Sequence, residues 1–313
     1  MKDGYVVALG PVDVDEYYRC TTPLLPGAKC FVRKEEALPG GLVADAAGVM
    51  GTLGRKTYLL DTLGEDEYTD FLAESLERLQ IDTTYVERLA EYRNLRATIY
   101  LSEGERTVFI HENDKPPVTV NDEMRELLRN ADFLYTTIYN LKELENYREL
   151  VGEMKESRTG IMVDVEPTTF LDRENEEDDF LFRMADIISF NEASYEKYCK
   201  GADVDFARKL AEENGSIVMV TMGERGCRIC GGGKEYRIPA FRVKVVDTTG
   251  AGDTHNGAFL YGYLKGWGIE RAGKFAAAAA ARAVTEKGAQ AGAAPERTVL
   301  EFLERLQRGD GGE

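Results

Sequence analysis

Between Val246 and Phe259 the chain reads Val-Asp-Thr-Thr-Gly-Ala-Gly-Asp-Thr-His-Asn-Gly-Ala-Phe, and these residue types are suited to handling an anion and a proton together. The Gly250-Ala251-Gly252 turn follows a β-branched run, Val243 to Val246, that reads as a strand, and it precedes Ala258, Phe259, Gly262 and Leu264 at helical spacing. The turn therefore falls at a helix N-terminus. The first N–H groups of a helix lack partners within it and the aligned peptide dipoles add partial positive charge, so an anion is favoured there. Glycines let a phosphate come close. Asp253 would repel that anion unless it has separate work, and accepting a proton from an attacking hydroxyl is such work: in outline, phosphoryl transfer to an alcohol. The same residue type also serves as a plain helix cap.

A turn of this kind needs a scaffold. Tyr5 to Leu9 reads as a first strand ending in Gly10-Pro11, with Asp13 and Asp15 just beyond. Ligands collect at the carboxyl ends of strands in parallel α/β sheets, which makes these two carboxylates candidates for ligand binding, against the plainer reading of two solvated loop acids. Next, within Pro39 to Gly54, Gly40-Gly41 opens a helix of small residues that contains Asp45; small side chains let backbones approach, and the glycine pair exposes N–H donors. Lys56 to Leu60 reads as a strand, followed by a helix with Phe71, Leu72, Leu76 and Leu79 on one face. Thr22 to Lys34, with Pro23 and Pro26, has an edge-strand pattern, and Arg96 to Leu101 with Arg106 to Ile110 forms a hairpin across Ser102-Glu103-Gly104-Glu105. From Asn121 onward the pattern becomes strand–helix repeats: helix Asp122 to Asn130, strand Phe133 to Thr137, helix Leu141 to Lys155, strand Gly160 to Val165, strand Asp186 to Phe190 and a helix from Glu192. Strands alternating with helices of this length predict a mostly parallel sheet covered on both faces. The acidic run Glu174 to Asp179 reads as a solvated helix start.

Composition narrows the function. The 313 residues suffice for a substantial core, and 39 basic against 56 acidic residues give a net charge of −17, which argues against nucleic acid and anionic membrane as partners. No apolar run is long enough to cross a bilayer and Met1-Lys2-Asp3 leads directly into Tyr5, so the expected location is cytoplasmic. Five cysteines lack a disulfide pattern; Cys227-Arg228-Ile229-Cys230 stands alone, and residues three apart on a strand face opposite sides, which favours a hairpin turning at Gly231-Gly232-Gly233 over a zinc or redox pair. Two histidines, His111 and His255, are too few for a metal cluster.

The string Asp247-Thr248-Thr249-Gly250-Ala251-Gly252-Asp253 resembles the C-terminal signature of the ribokinase/PfkB carbohydrate kinases, and further marks follow in the family's order: Gly10 to Asp15, Gly40 to Ala47, Gly64 to Asp66, Asn191 and Thr221 to Gly226. The resemblance implies a three-layer α/β/α fold over 1–313 with a small β lid from about 14–38 and 85–118, which in the family often forms a homodimer contact. It implies an ATP-dependent kinase acting on a sugar, with Asp253 as catalytic base and Gly250, Ala251 and Gly252 stabilising the transferring phosphoryl. By the same resemblance Asp13, Asp15, Gly40, Gly41 and Asp45 hold the acceptor, and Asn191, Thr221, Gly223, Gly226 and Thr248 line the nucleotide site. The resemblance further implies Mg²⁺ held mainly through the nucleotide phosphates and a site for a monovalent cation, K⁺, beside Asp247 and Thr249.

Three positions depart from the family pattern. Asp45 stands where Asn is usual, and an ionised carboxylate only accepts hydrogen bonds where an amide also donates. Ser194 replaces the glutamate of the family's Asn-x-x-Glu element, which leaves metal handling to a neighbour such as Glu192 or weakens activity. Tyr68-Thr69 lacks a glycine of the Gly-x-Asp-x-x-Gly element. The alternatives are a nucleoside kinase of the same family and a sugar-binding regulatory protein with weakened catalysis. Asp13, Asp15 and Asp45 together disfavour a phosphorylated acceptor and suit a neutral or amine-bearing polyol.

Overall fold

Val6, Val7, Ala8 and Leu9 are all buried, yet they feed two different cores: Val6 and Ala8 face one, Val7 and Leu9 the other. That is the behaviour of a central strand with side chains alternating across a sheet covered on both faces. The computed structural model describes residues 4–22, 27, 29–102 and 105–308; Met1 to Asp3, Pro23, Pro26, Glu103 and Gly104 lie outside the described residues.

The strands are β1 (Val6–Leu9), β2 (Asp13–Cys20), β3 (Val32–Gly40), β4 (Thr57–Gly64), β5 (Val86–Leu89), β6 (Leu95–Ser102), β7 (Glu105–Ile110), β8 (Phe133–Thr137), β9 (Gly160–Val165), β10 (Ile187–Asn191), β11 (Ile217–Thr221), β12 (Cys227–Gly231) and β13 (Lys234–Ile238). Nine of them form one sheet in the order β13-β12-β11-β10-β9-β8-β1-β4-β5, parallel except at the β11-β12-β13 end. The other four form a small sheet, β3-β2-β6-β7, in which β2 pairs antiparallel with β3 and parallel with β6.

The helices are α1 (Leu42–Thr52), α2 (Thr69–Arg78), α3 (Asp122–Asn130), α4 (Ile138–Lys142), α5 (Tyr147–Glu156), α6 (Glu176–Met184), α7 (Glu192–Cys199), α8 (Phe206–Asn214), α9 (Ala251–Leu264), α10 (Ile269–Ala283) and α11 (Glu296–Arg308). One core packs α1, α2, α9, α10 and α11 against the large sheet, and the other packs α3 to α8 against its opposite face. Each fully buried Val, Leu or Phe stabilises by about 1.5–3 kcal/mol, so these two apolar layers hold the sheet in place. Among the described residues no helix is long and apolar enough to cross a membrane.

Several expected elements sit where the sequence puts them, among them α3, β8, β9 and the β12–β13 hairpin; Cys227 enters one core and Cys230 the other. Others differ. Val243 to Val246 is not a strand: Val245 and Val246 are 57% and 58% exposed, and the Val246 and Asp247 amides both bond to the Val284 carbonyl at the end of α10. β-propensity without a ladder partner does not make a strand. The helix expected over Leu141 to Lys155 is split into α4 and α5, with Asn146 between them at φ +56°. Val86–Leu89 pairs with β4 at the edge of the large sheet, so 85–94 does not belong to the small sheet. Asp178 is not solvated: it is fully buried, bonded by Lys142 at 2.5 Å and by the Leu171 amide at 2.6 Å.

Candidate active site

The Gly-Ala-Gly turn is the N-terminus of α9, as its residues require. Gly250 caps the helix at φ +73°, a left-handed conformation open to glycine and costly for other residues, and a Cβ there would run into the Ala289 carbonyl oxygen. The Thr254 amide, bonded to Gly250 O at 2.9 Å, is the first to close a helical turn, so the Gly252 and Asp253 amides ahead of it have no partner inside the helix. Gly250→Ala is expected to cost about 1–2 kcal/mol from the backbone alone, with the clash adding to it. An unchanged midpoint in urea unfolding would contradict this geometry.

The first turn of α9 is fixed to the sheet from below. Asn256, three residues after Asp253 and so on the same helix face, donates to Asp164 Oδ2 at 2.8 Å and accepts from Ser189 Oγ at 2.7 Å. Asp164 also accepts from the Tyr135 hydroxyl at 2.9 Å. These four groups are buried and mutually satisfied, so they anchor the helix that carries Asp253 to β8, β9 and β10. From the side, α1 crosses α9 closely: a Cβ on Gly257 would lie 2.6 Å from Ala46 O. That approach, which the small residues of α1 permit, sets Asp45 beside Asp253.

Asp13 and Asp15 lie two apart on β2 and so share a face. Both reach the same point in front of Gly40, where a Cβ would lie 2.7 Å from Asp15 Oδ2 and 2.8 Å from Asp13 Oδ1. Gly41, at φ +110°, caps α1, and the Asp45 amide bonds back to it at 2.8 Å. Asp13, Asp15, Gly40, Gly41, Asp45 and Asp253 thus gather where the small sheet meets the large one. A cavity of about 160 Å³ adjoins them, lined by Gly10, Pro11, Asp61, Lys115 and Asn140 among others.

The charges are crowded. Burial, followed by the charges of Asp164, Glu166, Asp13 and Asp15, holds the half-buried Asp253 well above the usual carboxylate range. Burial and then Asp253, Asp13 and Asp15 do the same to Asp45. Asp13 is raised by burial, then by Asp15 and Asp61, against a lowering from Lys115. Burial pushes Asp15 up to about 6, with Arg106 opposing and Asp247 adding to the rise. His255 is buried with neither ring nitrogen partnered, and burial lowers it to about 4, so it is a neutral imidazole with no proton to exchange near neutrality.

On the other side of the turn, Asn191 and Thr221 are register partners at the carboxyl ends of β10 and β11. Gly223 opens a short 3₁₀ turn, and Gly226, at φ +87°, passes against the Ile238 carbonyl where no Cβ would fit. Thr248 is exposed, and its carbonyl accepts from the Ala251 amide at 3.3 Å. Ser194, in the glutamate's place, completes a capping box for α7: its amide donates to Asn191 Oδ1 at 2.8 Å and its hydroxyl accepts from the Asn191 amide at 3.0 Å. Glu192 is turned away to pair with Arg225. The carboxylate that meets Asn191 is Glu166, one residue past β9, which accepts from Asn191 Nδ2 at 2.6 Å. Burial, then the charge of Asp164, pushes Glu166 up to about 7, with the Asn191 bond acting the other way. Sequence reading passed over Asp164 and Glu166, although a carboxylate pair at the carboxyl end of a buried strand is itself a signal.

Asp247 accepts from the Thr249 amide at 2.9 Å, the Thr249 hydroxyl at 2.7 Å and the Gly288 amide at 3.0 Å. Arg106, on β7 of the small sheet, donates to Thr249 Oγ1 and lies 3.7 Å from Asp247 Oδ1. Burial alone would raise Asp247, but the bonds from Thr249 and Gly288 and the Arg106 charge hold its carboxyl below the usual range.

A family profile described as pfkB family carbohydrate kinase matches residues 18–297. The deoxyribokinase of Salmonella typhi is 30% identical over 266 residues, covering 80% of this chain and 83% of that one. The structure of Arabidopsis thaliana ribokinase complexed with ribose and ATP superposes with a TM-score of 0.81 at 25% identity, covering 96% of this chain and 99% of the other. A putative ribokinase II from E. coli in complex with ATP and Mg²⁺ gives a TM-score of 0.79 at 20% identity, with 96% and 99% covered, a likeness of fold.

Proposed function

This chain belongs to the pfkB family of carbohydrate kinases, and on that premise we propose that it transfers the γ-phosphoryl group of ATP to a hydroxyl of a sugar or sugar-like alcohol, with Asp253 as the base. The observation that carries this reading is the position of Asp253: in the first turn of α9, beside two partnerless amides, with Asp13, Asp15 and Asp45 on one side and Glu166 and Asn191 on the other. In the step, the acceptor oxygen forms a bond to the γ-phosphorus, the bond from that phosphorus to the ADP oxygen breaks, and the hydroxyl proton passes to Asp253. The Gly252 and Asp253 amides, aimed out of the helix end, stabilise charge on the transferring group, whereas the Ala251 amide, expected to share this role, is bonded to the Thr248 carbonyl at 3.3 Å. Their contribution is largest where water is excluded.

Magnesium, where bound, neutralises charge on the nucleotide phosphates. Among the described residues no group of three or more His, Cys, Asp or Glu is arranged to cage a metal ion, so the ion's shell would be completed by those phosphates and water. Glu166, held by Asn191, is the carboxylate positioned to accept hydrogen bonds from such water, in place of the glutamate that Ser194 replaces. A potassium ion beside Asp247 and Thr249 does not fit while Arg106 holds both, because the guanidinium already supplies the positive charge there. Rates are therefore expected to be equal in KCl, NaCl and choline chloride at matched ionic strength. Arg106→Ala should then show a KCl-specific rise in melting temperature; KCl-specific activation of the unaltered protein would contradict this.

The small sheet serves as the lid over the acceptor, and its edge strand β7 supports a dimer. Phe109 and Ile110 are 50% and 74% exposed on that edge strand, the kind of edge to which a second chain can add. Sedimentation velocity should find a dimer that the double variant Phe109→Asp, Ile110→Asp converts to monomer. A monomer without substitution would refute the contact.

The function itself is tested by ADP formation from ATP across a panel of sugars, polyols and nucleosides. At least one sugar or polyol should stimulate ADP release well above the acceptor-free rate. Stimulation by nucleosides alone would move the protein to the nucleoside kinases of the same family.

A further inference from the structure

The acceptor side of the site is built almost wholly from hydrogen-bond acceptors. Asp45 is 3% exposed, and its Oδ1 has no hydrogen-bond partner; Asp13 Oδ1 is likewise buried without one. Asp15 Oδ2 and Asp13 Oδ1 both lie in front of Gly40, within 2.8 Å of where a Cβ there would sit, and Asp253 faces Asp45 from α9. The nearby cations are committed elsewhere. Lys115 is held by Asp61 at 2.9 Å and by Thr62 O at 2.6 Å, and Arg106 by Thr249 and Asp247. The neutral donor beside Asp45 is the Gln290 amide, whose Nε2 also lacks a partner.

This inventory selects among ligands. A sugar hydroxyl donates one hydrogen and also offers lone pairs that need donors, whereas an ammonium group donates three hydrogens and accepts none. A pocket rich in carboxylate oxygens and poor in donors matches the second. A phosphate or carboxylate on the acceptor would meet like charge at every turn. An amide at position 45 would supply a donor, and the ionised carboxylate of Asp45 does not.

Resting on the kinase reading, we propose that the natural acceptor is an amine-bearing sugar or polyol, whose protonated amine is received by Asp45 and Asp13 while one of its hydroxyls faces Asp253. A bound ammonium ion supplies opposite charge among these carboxyls and so favours the ionised form of Asp45 and Asp13. Asp45 acts here as the residue that sets specificity, and Asp253 keeps its separate role.

Calorimetric titration without nucleotide, at neutral pH, tests this with D-glucosamine, D-galactosamine and 1-amino-1-deoxy-D-fructose against D-glucose, D-galactose and D-fructose. At least one amino sugar should bind about 10- to 100-fold tighter than its parent, the size of one charge-assisted hydrogen bond. Asp45→Asn, which keeps the side-chain shape and is checked for folding by its unfolding transition, should bring the ratio toward parity. The inference is overturned if no amino sugar binds tighter than its parent, or if a preference survives Asp45→Asn. Phosphorylation of the neutral parents without amine preference would remove the inference and leave the kinase reading standing. Loss of both phosphorylation and ATP binding would remove the kinase reading as well.

Discussion

Replacing Asp253 by Asn is expected to cut turnover by about 10²- to 10⁴-fold while ATP binding persists, because the substitution removes the proton acceptor and leaves the helix N-terminus intact. The amides that favour an anion belong to the backbone of Gly252 and Asp253, and neither they nor the Gly250 turn depend on the carboxylate. A second effect runs the other way. Burial and the charges of Asp164, Glu166, Asp13 and Asp15 raise Asp253 in the folded protein above its value in the unfolded chain. A group raised in this sense contributes stability that is present below its unfolded pKa and lost as pH rises through the folded one. Asp253→Asn should therefore melt higher than the unaltered protein, by most at alkaline pH and by little in acid. Activity lost while stability is gained is the signature of a strained functional group. Joint loss of both would point to a structural role instead.

Glu166→Gln carries the second large effect. Glu166 stands where it can order the water around a nucleotide-bound ion, and outer partners of this kind are worth about 10- to 100-fold in metal affinity or activity. The variant should therefore need more Mg²⁺ for half-maximal rate and turn over more slowly. The pH profile has a definite sign. Glu166 is raised to about 7, so its carboxylate form is lost as pH falls through that value, and kcat/KM of the unaltered protein should fall with it. Glu166 also raises Asp253, so Gln at position 166 lets Asp253 ionise at lower pH and moves the acid limb of the profile downward. An unaltered Mg²⁺ requirement together with an unmoved acid limb would contradict the role given to Glu166.

The parts of the site that were legible in the sequence are those whose reasons are local. Gly250 needs a positive φ and Asp253 falls in the first turn of its helix; both follow from the order of residues. Strands β8 and β9 and helix α3 keep their expected limits because their apolar periods are short-range signals. What escaped depends on neighbours far along the chain. Asn191 meets a carboxylate 25 residues earlier, through the adjacency of β9 and β10, and no spacing rule marks that pair. Arg106 reaches Thr249 across 143 residues, because the small sheet folds back over the turn. Val243 to Val246 looked like a strand on residue type, and it has no strand to pair with once the end of α10 takes its amides. Ser194, which looked like a loss of function, does the local work of a helix cap while Glu166 brings a carboxylate to the same asparagine.

The most direct test is phosphorus NMR of the protein with ATP, Mg²⁺ and an acceptor. The expected result is a decaying γ-phosphate signal matched by a growing phosphomonoester signal, with inorganic phosphate staying minor and Asp253→Asn showing no growth over the same period. ATP that binds but yields no phosphomonoester with any sugar, polyol or amino sugar would contradict the assignment, as would an Asp253→Asn variant that forms product at the unaltered rate.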